Sequence, residues 1–207
     1  MLLSKIDDLT RPDHTFLTSA DECFYIGEYT ARAGYAFSQT NDVIQNLKKP
    51  MDRRALPEWR YKAWAIVRSA EWLREVLNPN WISQVTFVPV PPSKRKDHPD
   101  YDDRLLQVLN RVGEGRRIDI RELVVMTRNV QAAHLVDQRR SVQTLIERMA
   151  IDTSLVVPNP QAICIFDDVL TTGAHFRAVR ETLNARFPNV PITGVFLARR
   201  APESAAI

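Results

Sequence analysis

From Trp59 to Leu77 the apolar residues Trp59, Ala63, Ile66, Ala70, Leu73 and Leu77 recur at spacings of four and three. That period places them on one face and predicts an amphipathic helix, ended by Asn78-Pro79-Asn80. Upstream the pattern is less regular. Met1 to Ala20 reads as irregular, Cys23 to Tyr29 as a strand, and Asn41 to Lys49 as a short helix. Lys48 and Lys49 would close that helix at the end where its dipole favours cations. Beyond residue 84 short apolar runs alternate with helical periods. Val85–Val90, Leu123–Met126, Ile163–Phe166 and Ile192–Ala198 are strand-length runs. Between them, Leu105, Leu109 and Val112, then Val142, Leu145, Ile146 and Met149, then Phe176, Val179, Leu183 and Phe187, have helical spacing. Strands alternating with helices predict an α/β fold: a central parallel sheet flanked by helices. We therefore divide the chain into a mostly helical N-terminal extension or hood, 1–84, and an α/β core, 85–207.

Composition narrows the class. The chain has 207 residues, 44% hydrophobic and 26% charged, enough for a packed core. A formal net charge of +3 is too small to argue for nucleic acid by itself, and leaves that partner open. Cys23 and Cys164 belong to no CxxC pair, which argues for a reduced, cytoplasmic protein without a disulfide framework or a cysteine zinc site. The first residues, MLLSKIDDLT, lack the basic end and apolar run of a secretory signal. No window approaches the length of a membrane span, so no membrane partner is expected. Aromatic residues between positions 24 and 37 hint at an interface and leave a homodimer open.

The most demanding stretch is ICIFDDVLTTGAH, residues 163 to 175. A strand ends on Asp167 and Asp168, and a turn of small residues leads to the next helix. In parallel sheets this is the edge where ligands bind. Thr171 and Thr172 offer hydroxyls, Gly173 tolerates unusual torsions, and Ala174 and His175 open the helix, whose positive end suits a phosphate. Two carboxylates beside such a cradle make sense if the ligand also carries hydroxyl donors or a cation. A ribose 5-phosphate has that pairing, with the 2- and 3-hydroxyls donating to Asp167 and Asp168. A doubled Asp alone would read as an ordinary helix cap. The whole stretch after an apolar strand favours the sugar phosphate.

The same stretch resembles the phosphoribosyl-pyrophosphate motif of type I phosphoribosyltransferases. FVPVPPSKRKD upstream and GVFLARR near the end are similar to the corresponding segments of ComF-like proteins, so the resemblance runs from about Val85 to Arg200. It implies a pyrophosphate loop at Ser93, Lys94, Arg95 and Lys96, stiffened by Pro91 and Pro92, one of whose X–Pro bonds could be cis. It implies a mobile loop within Thr127–Arg140 that covers the reacting centre, with Arg128, His134 and Arg139 as its candidate residues. It also implies Mg2+ held mainly by the ligand's own oxygens, and no metal site built from protein alone. Cys164 and His175 depart from the family pattern, as do Val130 and Ala133 where threonine and glutamine are common. The cysteine zinc module frequent at the N-terminus of ComF-like proteins is absent.

The expected activity is transfer of a phosphoribosyl group to a nitrogenous acceptor, with Asp167 and Asp168 at the centre and release of pyrophosphate. That would make the protein a pentosyl-class glycosyltransferase in nucleotide metabolism. The alternative is a non-catalytic ComF-like protein that binds the same ligand in nucleotide sensing or DNA uptake. Lys48 and Lys49 are read as a solvated helix end, with a hood role in base recognition as the alternative. His14 and His98 have no partners at metal-ligand spacing.

Overall fold

The computed structural model describes residues 1–128 and 142–202. In chain order the elements are β1 (Ser4–Lys5), β2 (Glu22–Tyr29), α1 (Gln39–Leu47), α2 (Arg60–Val76), α3 (Pro79–Ile82), β3 (Thr86–Pro89), α4 (Arg104–Gly113), β4 (Asp119–Ile120), β5 (Val124–Met126), α5 (Val142–Ile146), β6 (Met149–Ile151), β7 (Ile163–Leu170), α6 (Ala174–Arg186) and β8 (Ile192–Arg200). Six strands form one sheet in the order β1-β2-β8-β7-β3-β4, with β1 alone antiparallel to its neighbour. The fold is thus α/β, with a mostly parallel sheet flanked by helices. Among the described residues no helix is long and apolar enough to cross a membrane.

Residues 1–84 do more than cover this sheet. β2 pairs in parallel with β8 from Glu22–Thr193 to Tyr29–Arg200. Ile44, Leu47 and Leu73 share one buried core with Phe87, Phe166 and Phe196. Cys23 and Cys164 lie within it as free thiols, their pKa values pushed up by burial. Gly194 of β8 permits this packing: a Cβ there would come within 2.8 Å of the Phe176 ring.

Three sequence expectations are corrected. Leu123–Met126 does not join the main sheet. Val124–Met126 instead pairs antiparallel with Met149–Ile151, and Asp119–Ile120 takes the place beside β3. Met149, expected on a helical face, lies in that ribbon because α5 stops at Ile146. The bond from Thr127 N–H to the Arg148 carbonyl, 2.8 Å, extends the ribbon instead. Third, the buried face of α2 is rotated from the predicted one. Ala63 is exposed, whereas Lys62 and Ser69 are buried with Ile66, Ala70 and Leu73. Counting apolar residues could not find Lys62, because a buried ammonium is stable only where hydrogen-bonded acceptors surround it.

Candidate functional site

The sheet opens a cavity where β3 stops short. Parallel register sets Pro89 beside Phe166, and Val90 N–H donates to the Phe166 carbonyl at 2.9 Å. Pro91 and Pro92 follow. Neither has an N–H, so the ladder cannot continue. β7 runs on to Leu170, paired only with β8, through Asp167–Phe196, Val169–Ala198 and Leu170–Arg199. The flank of Asp167–Val169 that β3 would have covered therefore faces the loop after Pro92. The Asp168 N–H, left without a strand partner there, donates to Asp167 Oδ1 at 2.8 Å.

The resulting cavity has a volume of about 540 Å³, within the roughly 300–1,000 Å³ of small-molecule sites. Its walls bring together eight of the residues singled out by sequence: Ser93, Lys94, Arg95, Lys96, Asp167, Asp168, Thr171 and His175. Thr172, Gly173 and Ala174 complete the turn next to it without lining it. Gly173 has φ +83° and caps α6, and Ala174 is buried as the first residue of that helix. Arg128 is exposed and does not line the cavity. His134 and Arg139, with Val130 and Ala133, fall outside the described residues. The only cis X–Pro bond among the described residues is Val157–Pro158, so the basic loop has none.

Neighbouring residues in a strand point to opposite faces, and the two aspartates differ accordingly. Asp168 is 2% exposed. Its Oδ2 accepts from Arg104 Nε at 2.9 Å and lies 2.7 Å from a second guanidinium nitrogen, while Lys48 Nζ reaches Oδ1 at 3.1 Å. Burial opposes its charge, but Arg104 and Lys48 outweigh burial and hold the carboxyl far below its usual range. Asp167 is partly buried, and among the described residues the Asp168 N–H is its one hydrogen-bond donor. Burial first, and the charge of Asp168 second, push its pKa up to about 7.

Behind Asp168 lies a charged network that sequence reading missed. Asp102 Oδ2 accepts from Arg104 at 2.8 Å and from Lys62 Nζ at 2.7 Å. Its Oδ1 takes the Arg104 N–H at the start of α4. Lys62, 2% exposed, also donates to the carbonyls of Leu47 and Lys49, each at 2.9 Å. These are carbonyls at the C-terminal end of α1, which have no acceptor role inside the helix. Burial lowers the Lys62 pKa against the pull of Asp102. One lysine thus ties the end of α1, and with it Lys48, to the side chains that hold Asp168. The solvated-end reading of Lys48 is corrected: it lines the cavity and pairs with Asp168. Lys49 points away, 8% exposed, over the rings of Tyr35 and Tyr61 at 5.2 and 5.5 Å. Asp102-Asp103-Arg104 carried no signal in the sequence beyond an ordinary charged helix start.

The basic loop is unevenly committed. Lys96 pairs with Glu122 at 2.6 Å, and Glu122 also accepts from Tyr101 at 2.7 Å. Arg95 contacts Asp97 at 3.0 Å and the Thr127 carbonyl at 3.4 Å. Lys94 lines the cavity and has no ion-pair partner among the described residues. Pro50, Met51 and Asp52, just past α1, close the cavity on the hood side. Chemically the site offers one carboxylate without an ion-pair partner among the described residues, one anchored carboxylate, the start of a helix, and a cationic loop. Comparison with known proteins finds no protein-family model and no curated protein that matches the chain.

Proposed function

We propose that the cavity binds 5-phosphoribosyl 1-pyrophosphate and that the protein transfers its phosphoribosyl group to a nitrogenous acceptor, as a type I phosphoribosyltransferase-like enzyme similar to ComF-like proteins. The observation that carries this is the convergence of an acidic strand end, Thr171 and His175 at the two ends of a small-residue turn, and a basic loop on one cavity of about 540 Å³. In this reading Asp167 accepts the ribose hydroxyls, with Asp168 Oδ1 retaining room for a second bond. The turn Thr171–His175 takes the 5-phosphate. Ser93 and Lys94 take the pyrophosphate, with Arg95 and Lys96 adding positive potential. Residues 50–52 bound the space left for the acceptor.

The chemistry asked of the protein is positional. Charge builds on the ribose ring as the bond to pyrophosphate breaks, and the acceptor nitrogen forms the new bond to C1. Fixing the diol and the phosphate holds C1 in line with the acceptor. Lys94 and its neighbours stabilise the departing negative charge. The site also suits magnesium. Asp167 is a hard oxygen donor with a free coordination position, and among the described residues no group of three His, Cys, Asp or Glu could hold an ion unaided. The ion would then take most of its ligands from the pyrophosphate, as Mg2+ prefers, and would neutralise it.

The test is pyrophosphate release from phosphoribosyl pyrophosphate and Mg2+ with a panel of nucleobases and amines. Acceptor-dependent release above the blank supports the enzyme. Saturable binding without release under any acceptor favours the non-catalytic sensor. No binding refutes both.

A further inference from the structure

His14 came out of the sequence with no assigned role, and in the fold it is fully buried against the turn after β7. Its ring Nδ1 lies within hydrogen-bond distance of the Thr171 carbonyl. A carbonyl oxygen only accepts, so Nδ1 carries the proton and His14 donates. Two residues on, Phe16 N–H donates to the Thr172 carbonyl at 2.9 Å. Leu17 then closes over Gly173, where a Cβ would come within 2.9 Å of Leu17 Cδ2. Residues 14–17 thus form a strap that holds two successive carbonyls of the turn from one side.

This fixes where the amides of the turn can face. Both peptide bonds are trans. In a trans peptide the carbonyl and the following N–H point in opposite directions. With the carbonyls of Thr171 and Thr172 held by the strap, the N–H groups of Thr172 and Gly173 must face away from it. Thr171 on one side of the turn and His175 on the other both line the cavity.

We propose that His14 is a positioning residue for anion binding: by pinning the Thr171 carbonyl it turns the Thr172 N–H toward a bound phosphate, without touching the ligand itself. This rests on the proposed function, and it adds a residue about 160 positions away in the chain from the turn it serves. His14 keeps its second ring nitrogen, Nε2, buried without a partner. Asparagine is therefore the informative replacement, because its amide N–H stands where Nδ1–H does and it lacks the orphaned nitrogen.

The probes are ribose 5-phosphate, which needs the turn, and pyrophosphate, which needs the basic loop, each titrated by calorimetry into wild type and variants with Mg2+. His14→Ala is expected to weaken ribose 5-phosphate about tenfold, the worth of one hydrogen bond, and to leave pyrophosphate within about twofold. His14→Asn is expected to restore most of the loss, and His14→Gln, whose donor sits one carbon further out, is expected not to. If His14→Ala fails to fold, the comparison of Asn with Gln carries the test. Unchanged ribose 5-phosphate affinity, an equal loss for both probes, or Asn no better than Gln would overturn the role of His14. A wild-type protein that binds neither probe would instead remove the functional reading, and this role with it.

Discussion

Replacing Asp167 by asparagine should stabilise the ligand-free protein at neutral and alkaline pH. The asparagine side chain keeps an oxygen for the Asp168 N–H, so the hydrogen bond of 2.8 Å survives. What the variant loses is a negative charge held in a poorly solvated position next to Asp168. The folded-state pKa is raised from 3.8 to about 7, so the folded state holds a proton that the unfolded chain releases in between. Stability contributed by Asp167 is therefore fully present below about pH 4 and is lost as pH rises to about 7. A rise of about three pH units at about 1.4 kcal/mol each amounts to about 4 kcal/mol. Asp167→Asn carries no such dependence. Urea denaturation of both proteins from pH 4 to pH 9 isolates the effect, because Asp168, the group coupled to Asp167, stays ionised in the folded state throughout this range and groups distant from Asp167 titrate alike in both proteins. The stability of the variant relative to wild type should climb through pH 4–7 and level off above it, approaching about 4 kcal/mol. A difference that stays flat across this range, or falls with rising pH, would refute the assignment of Asp167 as the strained member of the pair.

The other variants test the parts separately. Asp168→Asn should destabilise by about 1.5–3 kcal/mol by urea denaturation, because it removes one of the two carboxylates, Asp102 being the other, that hold the half-buried Arg104; a neutral result would mean the pairing contributes nothing. Gly173→Ala should lose about 1–2 kcal/mol of stability from its positive φ alone, and more if Leu17 cannot move aside. Lys94→Ala should weaken pyrophosphate about tenfold by calorimetry with no change in melting temperature, whereas Lys96→Ala should weaken it less, because Lys96 already shares its charge with Glu122.

The frame of the molecule could be read from pattern because its central strands and helices bury clean apolar faces. β7 and α6 are examples, and their apolar residues lie where the spacing put them. β5 was read as a strand, but its pairing with β6 escaped, because a run that short carries no signal for which strand it joins and its partner came from a segment read as helix. The place of β2 in the sheet depends on pairing with β8, about 170 residues away, which no local pattern encodes. The same boundary runs through the site. Asp167, Thr171 and Lys94 were legible because they sit in or directly after the ends of strands. Lys62, Asp102, Arg104 and His14 were not, because each acts through a partner distant in sequence or across an interface between helices. A buried lysine or histidine looks the same in sequence as one on the surface.

The central claim is that one cavity grips a ribose through its hydroxyls, its 5-phosphate and its pyrophosphate together. Isothermal calorimetry of wild-type protein with phosphoribosyl pyrophosphate and Mg2+, repeated with Asp167→Ala, tests it most directly. The account predicts a single saturable site in wild type and a loss of at least about tenfold in the variant, with its fold intact by circular dichroism. Absence of saturable heat in wild type, or equal affinity in the two proteins, would contradict it.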